Sequence, residues 1–208
     1  ARYYVAGVPV SDSARQWLTN ALPGLAGDAA GLSVARLSAP EQLGKGGFAL
    51  SSPAFANGDA LDPCFTADEE DAVAPPLEWT APPPGTQDLA LIVEDPAGRG
   101  GEATCHWLVW GLAGQRGKLL EGEAPPRVGK NARRNSEWLL PEPPHDDPAH
   151  SYVFQLFALD LPLTLMPGAS REDLVVAMSG HVLGVALLTA TYAREEDDGE
   201  WDDDDVDE

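Results

Sequence analysis

The chain has 208 residues and a formal net charge of −21, from 34 acidic and 13 basic side chains, with an ordinary apolar content of 43%. That length suits one domain with a full core, no apolar run reaches the ~18 residues of a membrane span, and the sign of the charge disfavours nucleic-acid phosphates and anionic lipid surfaces as partners. Two cysteines, Cys64 and Cys105, make no disulfide framework; with no secretory leader in view they read as reduced thiols of a cytoplasmic protein.

Residues 1–47 read as an N-terminal helical extension. Residues 11–22, SDSARQWLTNAL, predict a short helix capped by Ser11 or Ser13, with Trp17, Leu18, Ala21 and Leu22 as its apolar stripe. Pro23-Gly24 ends it, and a weaker helical segment covers residues 29–37. The plain expectation is an appendage packed on the main body. The alternative is an arm that presents Trp17 to a second copy, making a homodimer.

From Phe48 the texture changes. Short β-rich runs alternate with Pro, Gly, Asn and Asp clusters, which predicts an all-β antiparallel sandwich over residues 48–194 with a few short peripheral helices. Residues 67–74 read as an acidic surface loop. Residues 89–93, an apolar run, end in Glu94 and Asp95; Pro96 then stops the strand. A Gly-rich link leads to a second run at residues 105–110, too close for a crossover helix, so the two runs are antiparallel neighbours. Asp95 and His106 then face each other at one rim of a sheet.

Residues 112–136 hold Arg116, Lys118, Arg127, Lys130, Arg133 and Arg134 and read as a long basic surface loop, a balance for the acidic segment or a rim that steers anions. Residues 152–160 read as a strand covered on both faces. Ser170 predicts an N-cap for a helix to Met178, with Gly180 as its C-cap, and residues 181–194 a last long strand. Residues 195–208 hold eleven acids and no base, so the remaining 194 residues carry −10. That acidic tail has too little apolar area to fold alone and reads as disordered.

Asp95-Pro96 followed by His106-Trp107 resembles the first signature of the phosphatidylethanolamine-binding protein (PEBP) family, which includes the Raf-kinase-inhibitor-like proteins of bacteria. The likeness extends through FALSSPAF at 48–55, PPLEW at 75–79, PPGTQDLALIVEDP at 83–96, PAHSYVFQLFALD at 148–160 and SGHVLGVALLTATYAR at 179–194. It implies a rim pocket for small anions such as phosphate groups, built from Asp95, His106 and His150, with Tyr152 as a wall and Pro96 freezing the strand end. Two imidazoles donating to an anion, one backed by a carboxylate, would suit that task. The chain departs from the family pattern at Ala97, where a second Asp is usual, at Ser151, where Arg is usual, and at Leu139-Leu140, which replace a Gly-rich turn.

The resemblance implies no cofactor and no metal, although two His and one Asp are suitable ligand types. It leaves three functions open: a binding protein for a small anionic ligand, an inhibitor of a kinase or protease partner, and an acid–base enzyme with Asp95, His106 and His150 as its catalytic candidates. Covalent catalysis is disfavoured, because Cys105 would point to the face opposite His106 and no nucleophile motif is present. His145 reads as an exposed loop residue and His181 as a packing residue.

Overall fold

The computed structural model describes residues 12–98 and 102–194. The Ser11 cap and the acidic segment 195–208 lie outside the described residues. Among the described residues, three α-helices, α1 (Asp12–Ala21), α2 (Ser33–Leu37) and α3 (Arg171–Met178), accompany eight strands. These are β1 (Leu50–Ser51), β2 (Leu77–Trp79), β3 (Asp88–Asp95), β4 (Thr104–Ala113), β5 (Gly117–Leu119), β6 (Arg127–Val128), β7 (His150–Leu159) and β8 (Val182–Tyr192). All strand pairs are antiparallel, in a five-stranded sheet ordered β6-β4-β3-β7-β8 and a three-stranded sheet ordered β1-β2-β5. Strands β5 and β6 fall inside the stretch read from sequence as one long loop. Their two or three residues are too few to give a periodic signal.

The alternation of side chains along each strand divides the core into two layers. Leu89, Leu91 and Val93 of β3, with Phe154, Leu156 and Ala158 of β7, face the small sheet and pack on Leu50, Leu77, Trp79 and Leu119. Ala90 and Ile92, with Val153 and Phe157, face the other way. That second face is covered by Leu18 of α1 and Leu22 just after it, Val34 and Leu37 of α2, and Leu174, Val175 and Met178 of α3. Trp17 is half-buried on the same layer. Ser170 caps α3 through the Asp173 amide, as its sequence predicts.

One charge sits inside this second layer. Glu94 has no exposed surface, and a buried carboxylate is tolerated only when its oxygens are fully hydrogen-bonded and its charge is paired. It accepts from the Ser33 amide at 2.7 Å, the Ser33 hydroxyl at 2.9 Å and the Gln155 amide at 2.7 Å, and it pairs with the Arg171 guanidinium. Arg171 also donates to the Gly31 carbonyl at 2.9 Å, and Gln155 accepts from the Val34 amide at 2.8 Å. The N-terminal segment and α3 are therefore pinned to the sheet through one side chain.

The N-terminal segment also reaches the end of β3. Gly27 has φ +107, and a Cβ there would lie 2.5 Å from the Pro96 carbonyl carbon. One residue earlier, the Ala26 amide donates to Ser151 Oγ at 3.0 Å.

Two outcomes are expected in chemical denaturation. Glu94→Ala leaves Arg171 without its partner and lowers stability by about 3 kcal/mol, the usual cost of breaking a buried pair. Gly27→Ala lowers it by on the order of 1–3 kcal/mol, because the left-handed backbone and the Pro96 contact both exclude a methyl group.

Candidate functional site

Four side chains named from sequence converge at one end of the face between the sheets. Along β7, His150 and Tyr152 share the face of Phe154 by simple alternation. Asp95 shares the face of Leu91 and Val93 for the same reason. His106 reaches it by a different route. Val93 pairs with Trp107 and Glu94 with Cys105, so β4 carries one residue more than β3 at this point, and that residue is His106. The bulge turns His106 and Trp107 to the same side, where both rings contact Trp138 at centroid separations of 6.0 and 5.7 Å. Cys105 remains on the helical side.

The loop after β6 locks the bulged histidine. Trp138 stacks on Phe154 and donates to the Phe65 carbonyl at 3.0 Å, fixing the loop against the core. The next residue, Leu139, then meets His106 twice. Its amide donates to the His106 carbonyl at 2.9 Å, and its own carbonyl accepts from His106 Nδ1 at 2.7 Å. A carbonyl can only accept, so Nδ1 carries a proton. Burial lowers the His106 pKa below its ordinary 6.5, helped by the nearby His150 and Arg133 and opposed by the Leu139 bond and Asp95. The neutral ring has Nε2 as a hydrogen-bond acceptor.

The second histidine has the opposite character. His150 Nδ1 lies 2.6 Å from Asp95 Oδ2, and Nε2 lies 3.2 Å from Asp147 Oδ2. Burial pulls its pKa down, but the hydrogen bonds and charges of Asp95 and Asp147 outweigh that and raise it above 6.5. Asp95 is held in turn by the Ala97 amide, which donates to Oδ1 at 2.8 Å. The sequence places Asp95 opposite His106; β4 and β7 both flank β3, and the carboxylate bonds His150, which the β3–β7 register brings to the same strand end. The two imidazoles are thus one acceptor and one donor, not the two donors expected.

These groups line an open cavity of about 510 Å³ with Ala97, Thr104, Arg133, Leu139, Glu142 and Asp147. Tyr152 forms its wall, edge-on to His106 at 5.0 Å. Pro96 is not among the lining residues; it sits behind the strand end, against Gly27. Sequence reading missed Asp147 and Glu142, and it named Arg133 only as one of the basic stretch. Only the i,i+3 spacing of Asp147 and His150 hinted at the first. Of the basic stretch, Arg133 alone reaches this cavity, where it pairs with Glu142 at 2.8 Å. Lys118 lies in β5 of the small sheet with Arg116 just before it, and Arg127 donates to the Leu163 carbonyl.

The other candidates lie elsewhere. His181 pairs with Asp160 at 2.9 Å at the start of β8, and His145 is exposed. Cys105 is buried and its thiol is pushed up to about 12, chiefly by desolvation; Cys64 is pushed to about 11 for the same main reason. Both are free, on opposite sides of the large sheet. Among the described residues no cluster of three or more His, Cys, Asp or Glu is arranged to hold a metal ion, and no helix is long and apolar enough to cross a membrane.

Comparison with known proteins agrees with this architecture. The family profile described as phosphatidylethanolamine-binding protein matches residues 51–193. A UPF0098 protein of Methanothermobacter thermautotrophicus (strain Delta H) is 35% identical over 155 residues, covering 70% of this chain and 98% of that one. The crystal structure of a PEBP homolog, CT736 of Chlamydia trachomatis, superposes with a TM-score of 0.66 at 31% identity, covering 71% of this chain and 98% of that one. Escherichia coli YbcL, at 21% identity, shares the fold with a TM-score of 0.65, covering 71% of this chain and 99% of that one. On the strength of the profile match and of these relatives, the chain belongs to the phosphatidylethanolamine-binding protein family.

Proposed function

We propose that this protein binds a small oxyanion of the phosphate class in the cavity formed by Asp95, His106, His150 and Tyr152. The observation that carries the reading is their convergence, from three strands, on one open cavity with two histidines of opposite proton affinity. His150, charged and oriented by Asp95, supplies a charge-assisted hydrogen bond. Neutral His106 supplies an acceptor, which suits a protonated oxygen of a phosphate or phosphomonoester better than a bare dianion. Leu139 contributes no amide to the ligand, because its N–H is already bonded to His106. Arg133, which gives Glu142 only its Nη2, offers a second cationic edge.

A reading of another class draws on the 2.6 Å Asp95–His150 contact. A histidine whose proton affinity is raised by a carboxylate can act as a general acid. Cys105 lies on the far face and Ser151 is bonded to Ala26, so neither is offered to the pair, and the chemistry read here is proton transfer.

Thermal denaturation at about pH 6 tests the binding reading. Inorganic phosphate at about 100 times its Kd is expected to add about 2.7 kcal/mol of stability, and His150→Ala is expected to remove that gain. Phosphate that leaves the wild-type melting temperature unchanged would reject it.

Titration of the two rings gives a separate check. In a nitrogen-detected NMR titration His150 is expected to titrate above 6.5 and His106 below it. The stability that His150 contributes through its raised pKa is complete below 6.5 and is lost as pH rises through its folded value; that of His106 is complete above 6.5 and is lost as pH falls through its folded value. The advantage of wild type over His150→Ala should therefore shrink as pH climbs from about 6 to about 9.

A further inference from the structure

Both cations of the cavity already hold a carboxylate of the protein itself. His150 is bonded through both ring nitrogens, to Asp95 and to Asp147, and Arg133 is bonded to Glu142. Both ring hydrogens of a charged His150 are therefore claimed, and an anion that binds at Nε2 must take the place of Asp147, whereas Arg133 gives Glu142 only its Nη2.

The three carboxylates are not equally replaceable. Asp95 has a side chain 7% exposed, a 2.6 Å bond to His150 and a second bond from the Ala97 amide. Its removal from the imidazole would strand a buried charge. Glu142 makes a 2.8 Å bond to Arg133 and has Arg194 at 3.8 Å on its other oxygen, so it sits between two cations. Asp147 has the longest bond, 3.2 Å, and a side chain 47% exposed, so its charge is rehydrated at little cost on leaving. It stands on a turn closed by its own amide donating to the Pro144 carbonyl at 3.2 Å, with Pro148 next in sequence. The backbone thus holds the carboxylate near His150 Nε2 without burying it.

We propose that Asp147 is the pocket's built-in competing anion, holding His150 Nε2 until a ligand oxygen displaces it. This rests on the reading of the cavity as an oxyanion site. Displacement exchanges one carboxylate for another group at the same nitrogen. A monocarboxylate gains little from that exchange, whereas a phosphate, with more charge and further oxygens for Arg133, gains more. Asp147 is therefore a selectivity residue, raising the affinity threshold for all anions and excluding the weak ones. The charged and titratable groups facing His150 are Asp95 from β3, His106 from β4, and Arg133, Glu142 and Asp147 from the connection between β6 and β7.

The test is inorganic phosphate and acetate titrated by calorimetry into the full chain, as wild type, Asp147→Ala and Asp146→Ala. Asp146, the exposed neighbour, controls for the loss of one negative charge from an acidic surface. Asp147→Ala is expected to bind phosphate about tenfold more tightly, the worth of one freed charge-assisted bond, and to gain measurable acetate binding, while Asp146→Ala changes either by less than about twofold. By NMR, His150 is expected to titrate at lower pH in Asp147→Ala than in wild type, and an unmoved midpoint overturns the contact itself. Phosphate affinity that is unchanged or weaker in Asp147→Ala, or raised equally by Asp146→Ala, overturns the competing-anion role while leaving the oxyanion site standing. Phosphate bound by neither wild type nor Asp147→Ala overturns the oxyanion site, and the role of Asp147 with it.

Discussion

Two adjacent carboxylates at the end of β3, both withdrawn from water, set the terms for the rest of the molecule. A strand turns successive side chains to opposite faces, so Glu94 enters the layer of helices and Asp95 enters the layer between the sheets. Each must be compensated where it lands, because an unpaired buried charge costs more than a fold of this size can spare. Glu94 is compensated by the Ser33 amide and hydroxyl, by Gln155 and by Arg171. Asp95 is compensated by His150 and the Ala97 amide. The first set joins the N-terminal segment and α3 to the sheet. The second set places an imidazole of raised proton affinity at a cavity rim. Scaffold and pocket are thus anchored to the same dipeptide, one peptide bond apart.

That arrangement explains how residues outside the sandwich bear on the pocket. Gly27 lies against the Pro96 carbonyl, and Ala26 donates to Ser151, the residue between His150 and Tyr152. The segment supports from behind both strand ends that carry the Asp95–His150 pair. Ser151 also loses its strangeness. Where the family resemblance implies an arginine, this chain has a small buried hydroxyl that accepts from the N-terminal segment, on the side occupied by the helices. A long cation at that position would meet the space in which Ala26 and Gly27 sit.

Much of this was legible before any coordinates. The β3–β4 hairpin, the doubly covered β7, the α3 cap and the apolar stripe of α1 follow from patterns that act over a few residues. The grouping of Asp95, His106, His150 and Tyr152 came through the family resemblance, not through spacing, because 55 residues separate Asp95 from His150. What stayed hidden depends on register and on turns. No local pattern announces that His106 is the extra residue of a bulge, yet that residue count is what brings it onto the face of Trp107. No local pattern assigns Asp95 to one histidine over the other, since β4 and β7 both lie beside β3 and the choice is made by register at the strand ends. Nothing local singles out Asp147 or Glu142, because their partners are supplied by the fold.

The charge of the chain poses a question that the pocket geometry answers. A protein of net charge −21 repels oxyanions at long range, and the cavity adds three carboxylates of its own against His150 and Arg133. Screening limits that repulsion to about 8 Å at physiological salt, so the outcome is decided inside the cavity, by contact. There the carboxylates do not act alike. Asp95 is behind His150 and raises its proton affinity, which creates the cation that a ligand would use. Asp147 is in front and consumes that cation's second hydrogen. The same residue type at the two nitrogens of one ring therefore has opposite effects on a ligand, generating the donor at Nδ1 and competing for it at Nε2. Selectivity in such a pocket comes from the difference between a ligand oxygen and a resident carboxylate at one nitrogen, a small and local quantity that the overall charge cannot mask.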